Sequence, residues 1–347
     1  MRAAVLYGPE DLRFEERPRP APKENELLLE VRACAICGSD LRTYRFGARN
    51  ITAPVVIGHE VAGTIREAGG ALSGWCEGDR VAVAPAIPCC ECSYCRRGLP
   101  TMCDNLRSIG YEYDGGFADY MIVPWSAVRA GCVNRVPATL TFEEATLAEP
   151  LACALNGQEL AGVGLDDTVA ILGAGPLGLM HAELARLRGA RKIILIDVRA
   201  HRLELARAFA ADVLIDGGSE DVAARVLAES EGAGASVVIV AAPSAEAQQQ
   251  ALGLAAKHGR VSFFGGLPKS TPIASLNANL IHYRELFVMG AYGSAPRHNR
   301  LALDLLASGR IHMAGLVGLV VPLERLQDGF AAAAEGRVLK VVVKPRP

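Results

Sequence analysis

The spacing of apolar residues changes near the middle of the chain. Over residues 1–150 the apolar residues form short runs, at 26–31, 61–66 and 80–84, between glycines and prolines. Such runs predict β-strands joined by turns. Residues 141–160 then carry apolar positions at helical spacing, which predicts a helix.

From residue 168 onward, apolar strand-like runs alternate with helix-periodic segments. This alternation predicts a parallel sheet with crossover helices on both faces. We expect the C-terminal tail to return to the first domain. The predicted strands are 168–172, 192–197, 212–215, 236–241, 260–264, 316–321 and 338–344, and the predicted helices end at 188 or span 201–210, 220–229, 245–256 and 299–308.

The composition is that of a globular protein large enough for two domains. The 347 residues are 50% hydrophobic and 21% charged, and the formal net charge is −2. This balance does not recruit nucleic acid or anionic lipid. The longest apolar run, 168–180, contains three glycines and a proline, so we expect no membrane span. The N-terminus lacks the long apolar segment of a signal peptide, and we expect a cytoplasmic protein.

The ten cysteines favour metal binding where they cluster and packing where they are isolated, provided that the compartment is reducing. Cys89, Cys92, Cys95 and Cys103 offer four thiolates on a short, turn-rich segment. Four sulfur ligands complete a tetrahedral zinc site and leave no position for a substrate, so we expect a structural zinc ion. An empty thiol cluster and an iron–sulfur site are the alternatives. Cys90 is either a bystander or a competing ligand.

A glycine-rich turn follows the strand predicted at 168–172 and precedes a predicted helix. In this setting G-x-G-x-x-G predicts a dinucleotide-binding turn, because the first glycine makes the turn, the second admits the pyrophosphate and the third lets the helix pack on the strand. The candidate cofactor-binding residues of this turn are Gly173, Gly175, Pro176, Leu177 and Gly178.

An acidic residue ends the next predicted strand. Asp197 follows the turn by about 20 residues, as the dinucleotide motif requires. A carboxylate there accepts hydrogen bonds from the adenosine ribose and repels a 2′-phosphate, which favours NAD over NADP. Arg202 is a further candidate cofactor-binding residue. Because an arginine can also pair with a phosphate, Arg199 and Arg202 keep NADP open as an alternative.

A second possible metal site comes from Cys37-Gly38-Ser39-Asp40 and Gly58-His59-Glu60. Cysteine, histidine and glutamate form a plausible zinc ligand set that leaves one position for an oxygen ligand. Each of these residues alone is more often part of ordinary packing, but they occur here in a chain with a dinucleotide turn.

The order and spacing of these motifs resemble the zinc-dependent medium-chain alcohol dehydrogenases, in their polyol (sorbitol-like) and threonine dehydrogenase branch. The resemblance covers nearly the whole chain and includes DGGFADY at 114–120 and EPLACALNG at 149–157. It implies a GroES-like, β-rich catalytic domain at 1–149 and 289–347, and a Rossmann domain with a doubly wound parallel sheet at 150–288. It also implies a homo-oligomer, either a dimer or a tetramer.

The same resemblance assigns the catalytic zinc. It implies that Cys37 and His59 are ligands, that Glu60 binds the zinc directly or through water, and that Glu149 approaches the metal in alternate states. Whether Glu60 or Glu149 binds directly stays open. The expected cofactors are therefore NAD and two zinc ions per subunit, one catalytic and one structural.

The proton path is assigned in the same way. The resemblance implies that Ser39 touches the substrate oxygen and passes its proton on, and that Asp40 orients the histidine ligand. Many relatives place a histidine three residues after the serine, where this chain has Arg42. Arginine stays charged and cannot relay a proton. We expect the proton to leave through the ribose and water, or through Glu60 and Glu149.

The expected reaction is oxidation of a secondary alcohol of a polyol, cyclitol or sugar to a ketone, with hydride transfer to NAD. The segment 285–294 lacks the aromatic-rich sequence of threonine dehydrogenases, which argues against threonine. L-Threonine or another amino alcohol is therefore the second candidate substrate. A non-catalytic NAD(H)-binding sensor is the alternative of another class. The candidate pocket walls, each also compatible with ordinary packing, are Tyr44, Phe46, Tyr111 and Tyr292.

Overall fold

A computed structural model describes residues 1–48, 50–51 and 54–346 of the chain. The chain divides into two compact units, one made of Met1–Ala152, Gly293–Gly309 and Ala314–Pro347, the other of Cys153–Tyr292 and Arg310–Met313. Among the described residues, no helix has both the length and the apolar composition needed to cross a bilayer.

The first unit begins with short strands and few helices, as its apolar runs predict. The strands in this part are β1 (Arg2–Gly8), β2 (Asp11–Glu16), β3 (Leu27–Ala35), β4 (Val55–Val56), β5 (Glu60–Ala68), β6 (Arg80–Val83), β7 (Ala86–Ile87), β8 (Arg107–Ser108), β9 (Tyr120–Val123) and β10 (Val133–Arg135). The helices are α1 (Gly38–Phe46), α2 (Ser93–Arg96), α3 (Trp125–Arg129), α4 (Phe142–Ala145) and α5 (Ala148–Ala161), and the division between the units falls within α5.

The second unit alternates strands and helices. Its strands are β11 (Thr168–Leu172), β12 (Lys192–Asp197), β13 (Val213–Asp216), β14 (Ala235–Val240), β15 (Ala255–Phe263) and β16 (Phe287–Gly290). Its helices after α5 are α6 (Pro176–Leu187), α7 (Ala200–Ala206), α8 (Val222–Glu229), α9 (Ala245–Leu254) and α10 (Ala278–Arg284).

Most of the tail belongs to the first unit, while Arg310–Met313 belong to the second. It contains α11 (Pro296–Ala307), β17 (Val317–Pro322), α12 (Leu326–Glu335) and β18 (Lys340–Lys344). β18 pairs antiparallel with β3 and parallel with β17, so the C-terminal strand lies beside the strand that precedes Cys37. The resulting sheet has the order β10-β6-β5-β3-β18-β17, with β9 also paired to β3.

The six strands of the second unit form one parallel sheet in the order β13-β12-β11-β14-β15-β16. This is the doubly wound order in which the connections reverse direction at the first strand, and cofactors bind at that reversal. β11 is buried along its whole length, which explains why it reads as an unbroken apolar run.

Several boundaries differ from the sequence prediction for local reasons. The helix predicted to end at residue 256 ends at Leu254, because β15 begins at Ala255. Met289 and Gly290, which the prediction placed with the first domain, pair with Ser262 and Phe263 in the second unit's sheet. The sequence prediction did not include α10 and α12.

Candidate active site and metal centres

Cys37 stands where the chain turns from a strand into a helix. It follows β3 by two residues and is the N-cap of α1, with extended backbone angles of φ −97° and ψ 153°. Asp40, in the first turn of α1, accepts a hydrogen bond at Oδ2 from the Cys37 backbone N–H at 2.9 Å. The same carboxylate thus fixes the start of the helix and the position of the thiol.

His59 is brought to Cys37 by strand pairing. β3 and β5 run antiparallel, and Ala35 lies opposite Glu60 in the register. Gly58 precedes the histidine with φ +95°, and a Cβ at this position would lie 2.9 Å from Cys34 Sγ and from the Phe117 ring. A residue with a side chain would not fit at position 58. Glycine therefore allows the backbone conformation that positions His59.

The predicted ligands Cys37, His59 and Glu60 meet in space, since their ligand atoms all lie within 4.8 Å of one another. His59 Nδ1 lies 3.0 Å from Asp40 Oδ1 in a buried contact. This contact occupies one ring nitrogen and orients the other, as carboxylates do for metal-binding histidines. Ser39 Oγ lies 3.3 Å from His59 Nε2, so the predicted hydroxyl is at the same centre.

Burial would lower the pKa of His59, but the charge and hydrogen bond of Asp40, together with Cys37, raise it well above the ordinary value. Cys37, Asp40 and Glu60 thus place a thiol and two carboxylates around the imidazole. A divalent cation suits this set, because it would bind thiolate and carboxylate groups together.

A lysine from the far end of the chain also reaches this centre. Lys340 Nζ donates a hydrogen bond to Glu60 Oε1 at 2.6 Å. Glu60 Oε2 is equally close to Nζ but is not aligned for a hydrogen bond, so this buried oxygen has an ion-pair contact and no hydrogen-bond donor. Sequence reasoning missed Lys340. Its one signal is a lysine at the start of a strand, directly before three valines.

Glu60 is completely buried, and burial raises its pKa to about 7, with Lys340 opposing and Glu149 reinforcing the rise. Glu149 lies in the first turn of α5, so the second predicted carboxylate acts on the same centre electrostatically. The residues fit a zinc ion, since they offer a thiol, an imidazole nitrogen and a buried carboxylate oxygen without a hydrogen-bond donor.

The four predicted pocket residues lie in different surroundings. Tyr111 is next to the site, with its ring centroid 5.8 Å from that of His59. Tyr44 packs on Phe330 at 5.4 Å between centroids, as a core residue would. Phe46 and Tyr292 are 76% and 66% exposed. Tyr111 is thus the one of these four that the structure brings to Ser39 and His59.

The four-cysteine lobe forms a separate cluster. The sulfurs of Cys89, Cys92, Cys95 and Cys103 lie within 4.8 Å of one another. Backbone N–H groups surround them, with Cys89 N 3.2 Å from Cys103 Sγ and Cys92 N 3.3 Å from Cys89 Sγ. Hydrogen bonds from backbone N–H groups lower the pKa of Cys89 to about 6, which favours the thiolate that a metal requires.

Cys90 does not join this cluster. It is exposed, has φ +65°, and directs its Sγ to Pro88 O at 3.6 Å. Of the two interpretations that the sequence left open, this position favours the bystander.

The glycine-rich turn has the structure that the motif predicts. Gly173 follows β11, Gly175 is the N-cap of α6 and Pro176 is its first residue. A Cβ on Gly178 would lie 1.8 Å from Gly173 O, so the helix can pack here only without a side chain. The free N–H groups at the start of α6 are suited to a pyrophosphate.

Asp197 also shapes this turn. It is buried, and Oδ2 accepts a hydrogen bond from Ala174 N at 2.7 Å while Oδ1 accepts one from Arg199 N at 2.9 Å. Arg202 Nη1 lies 3.9 Å from Asp197 Oδ2. The acid therefore joins the end of β12 to the glycine-rich turn and to the start of α7.

Comparison with known proteins agrees with both halves of the structure. Residues 23–132 match the profile of the alcohol dehydrogenase GroES-like domain, and residues 176–308 match that of the zinc-binding dehydrogenases. Sorbitol dehydrogenase of Bacillus subtilis is 31% identical, over 99% of this chain and 97% of the relative. D-Arabitol-phosphate dehydrogenase of Enterococcus avium is 31% identical, over 98% of this chain and 96% of the relative.

A solved structure supports the same assignment. A chain from Sinorhizobium meliloti 1021, assigned as a zinc-binding dehydrogenase and solved bound to NADP, superposes with a TM-score of 0.91. It is 35% identical, and the match covers 99% of each chain. The resemblance inferred from the motifs and the fold class are confirmed. The chain belongs to the zinc-dependent medium-chain alcohol dehydrogenase family and is an oxidoreductase with a GroES-like and a Rossmann domain.

Proposed function

We propose that this protein oxidises a secondary alcohol of a polyol, cyclitol or sugar to a ketone, with zinc at the reacting centre and NAD as hydride acceptor. The observation that carries the proposal is the meeting of Cys37, His59 and Glu60 within 4.8 Å, with the Ser39 hydroxyl 3.3 Å from His59. The polyol substrate class is supported by the relatives that act on sorbitol and arabitol phosphate.

In this proposal Cys37 and His59 hold the catalytic zinc, while Glu60 and Glu149 supply the carboxylates around it. When bound, zinc supplies Lewis acidity, which makes the substrate hydroxyl easier to deprotonate. Asp40 keeps the His59 ring in place through the 3.0 Å contact to Nδ1. The cysteines Cys89, Cys92, Cys95 and Cys103 hold a second, structural zinc.

Ser39 accepts the proton of the substrate hydroxyl while it releases its own hydroxyl proton, which would leave through the ribose and water, or through Glu60 and Glu149. The Ser39 hydroxyl lies 3.3 Å from His59 Nε2, and the Tyr111 ring is next to that imidazole. Arg42 is exposed on α1, and a guanidinium group has no acceptor for a proton, so it takes no part in accepting that proton. NAD, when bound at the glycine-rich turn, would supply the acceptor for the hydride of the same carbon.

NAD is the proposed cofactor because Asp197 ends β12 beside the glycine-rich turn, where it disfavours a 2′-phosphate. The cofactor-binding set is Gly173, Gly175, Pro176, Leu177, Gly178, Asp197 and Arg202. The Sinorhizobium meliloti relative is bound to NADP, so the two cofactors need a direct comparison.

The test is a substrate panel with both cofactors. Purified protein is assayed with polyols, phosphorylated polyols, cyclitols, sugars and amino alcohols, by the absorbance of the reduced cofactor, and its zinc content is measured. We expect two zinc ions per chain and NAD-dependent oxidation of at least one polyol, cyclitol or sugar. Turnover of amino alcohols alone would reassign the substrate class. Cofactor binding without turnover of any alcohol would indicate a sensor.

We also propose a cytoplasmic homo-oligomer, either a dimer or a tetramer. None of the ten cysteines, all within the described part of the chain, forms a disulfide, which is compatible with a reducing compartment. β16 is an edge strand of its sheet, and Phe287 on it and Tyr283 before it are 51% and 76% exposed. Light scattering on the purified protein measures the assembly.

A further inference from the structure

His181 is a buried titratable side chain that the proposed chemistry does not use. It lies in the middle of α6, the helix that begins at the glycine-rich turn, and it is completely buried. Burial lowers the pKa of His181 to about 3, so the imidazole is neutral near neutral pH. Its role therefore depends on its contacts and not on a charge.

Gln158 on α5 orients this imidazole. Its side-chain Nε2 donates a hydrogen bond to the His181 carbonyl oxygen at 2.7 Å and lies 3.4 Å from His181 Nδ1. An amide NH2 group has two protons, so the second is available to Nδ1. The ring proton is then on Nε2, which has no hydrogen-bond partner among the residues that the structure describes. Leaving this N–H unpaired is costly, and contact with an aromatic ring recovers part of that cost.

Phe264 provides that aromatic contact. The two rings meet edge to face, with 4.5 Å between their centroids and 88° between their planes. The backbone of α5 also borders the pair, since a Cβ on Gly157 would lie 2.8 Å from the Phe264 ring and 3.3 Å from the His181 ring. The Phe264 ring therefore has little freedom to move while His181 is in place.

The chain directly after Phe264 lies beside the glycine-rich turn. A Cβ on Gly173 would lie 3.2 Å from Ala242 N, and a Cβ on Gly265 would lie 2.6 Å from Ala242 O. Gly265 N also donates a hydrogen bond to Val240 O at 2.7 Å. The segments that follow β11, β14 and β15 are thus in close backbone contact at the carboxyl edge of the sheet, where doubly wound folds bind their ligands.

The strand order indicates which half of a dinucleotide these residues would face. Asp197 ends β12, on one side of β11, and is the proposed partner of the adenosine ribose. β14 and β15 lie on the other side of β11. A dinucleotide with its pyrophosphate at the turn after β11 would therefore place its nicotinamide half towards Phe264 and Gly265.

We propose that His181 is a positioning residue for the nicotinamide half of the cofactor, because it fixes the Phe264 ring and, through it, the chain at Gly265. The inference rests on the proposed function in so far as the cofactor is a nicotinamide dinucleotide, but not on the identity of the alcohol. Asp197 is held by Ala174 and Arg199, so the adenosine half should not depend on His181.

Leu184 provides the matched control. It lies one turn after His181 on the same helix and is 1% exposed. Leu184→Ala removes a buried side chain from α6 but leaves the rings of His181 and Phe264 in place. A loss of affinity that comes only from a weakened α6 is therefore common to the Ala variants of both residues.

The experiment measures the binding of NAD and of ADP-ribose to the zinc-loaded protein by calorimetry. ADP-ribose keeps the adenosine and the pyrophosphate but lacks the nicotinamide ring. If the parent protein binds NADP in place of NAD, NADP and 2′-phospho-ADP-ribose form the same matched pair.

For His181→Ala we expect the Kd of NAD to rise about five- to tenfold, equivalent to the loss of one aromatic pair, while the Kd of ADP-ribose stays within about twofold. Leu184→Ala changes both Kd values by the same factor. His181→Phe retains a ring against Phe264 and recovers most of the affinity for NAD.

Phe264→Leu tests the same contact from the other side and does not depend on whether His181→Ala folds. Phe264 directly follows β15 and is partly exposed. We expect the same selective loss of affinity for NAD. In the double variant His181→Ala with Phe264→Leu, the loss stays within about twofold of the larger single loss, because both side chains act through one contact.

An equal rise of both Kd values in folded His181→Ala, or an unchanged Kd of NAD in Phe264→Leu, would overturn the inference. These titrations need no alcohol. If the selective loss is found but no alcohol is oxidised, the proposed oxidation fails and the role of His181 stands. If alcohols are oxidised but the two Kd values rise together, the proposed oxidation stands and the role of His181 fails.

Discussion

The two candidate metal centres of this protein are built in opposite ways. The four-cysteine lobe takes all its ligands from residues 89–103, on one loop and two short helical turns. The centre around Cys37 combines the start of α1, the start of β5 and, through Lys340, the start of β18. The first is a local structure with four like ligands. The second depends on strand pairing across almost the whole first unit.

This difference corresponds to different tasks. Four thiolates saturate a tetrahedral ion and can only hold a loop together. A centre with one thiol, one imidazole and carboxylates that can bind or leave the metal can exchange a ligand. Its charges are balanced by residues from several parts of the chain. Changes in the lobe should therefore affect stability, and changes around Cys37 should affect turnover.

The largest expected effect separates the two centres most directly. Cys37→Ser replaces a thiolate by a weak ligand, so we expect one zinc to be lost and kcat to fall by about a thousandfold or more, as when a group essential for transition-state stabilisation is removed. Zinc analysis and cofactor absorbance measure both effects. Cys76→Ser, an exposed cysteine outside both clusters, is the control. Full zinc content and turnover in Cys37→Ser would show that Cys37 does not belong to the catalytic centre.

Ser39→Ala tests the proton path inside the catalytic centre. The hydroxyl lies 3.3 Å from His59 Nε2, so its loss should leave both zinc ions bound. We expect kcat to decrease at least about a hundredfold, the effect of losing a general acid–base path. Turnover near that of the parent protein would exclude the proton path through Ser39.

Cys103→Ser tests the structural role of the four-cysteine lobe. We expect the loss of one zinc and a melting temperature lower by about 5–10 °C, because the loop has little core of its own and a structural metal contributes to folding. At a temperature where the variant stays folded, kcat should stay within about twofold of the parent value, since the lobe supplies no group to the reaction. A large loss of kcat in folded protein would contradict the local role of the lobe.

Cys90 gives the smallest effect and tests the ligand count. Its φ of +65° favours glycine, so Cys90→Gly should raise the melting temperature by about 1–3 °C. Zinc content should not change, and calorimetry with metal analysis measures both quantities. Loss of a zinc ion from this variant would make Cys90 a ligand.

Much of the fold could be predicted because the signals are local. β11 and β12 have the predicted bounds, since buried parallel strands carry unbroken apolar runs between glycines. The glycine-rich turn could also be predicted from nearby residues. A side chain on Gly178 would collide with Gly173 O, so the turn requires glycine at that position. β16 was not predicted, because its four residues and their exposure resemble a loop more than a buried strand.

The sites could be predicted in part. The spacing of the four cysteines predicts their cluster, and the family motifs predict Cys37 and His59 as ligands. Tyr111 was one of four equivalent aromatic candidates until the structure placed it against His59 and Ser39. Tyr44, by contrast, packs on Phe330.

The amino-acid sequence by itself determined the two-domain organisation, the dinucleotide turn and the four-thiol lobe. In each of these, the interacting residues are close together along the chain, so spacing and residue type carry the information. Only the tertiary structure decided that Lys340 meets Glu60, at a separation of 280 residues. Such contacts depend on strand register and on the cost of burying charge, which compels distant ions to pair once the core has formed.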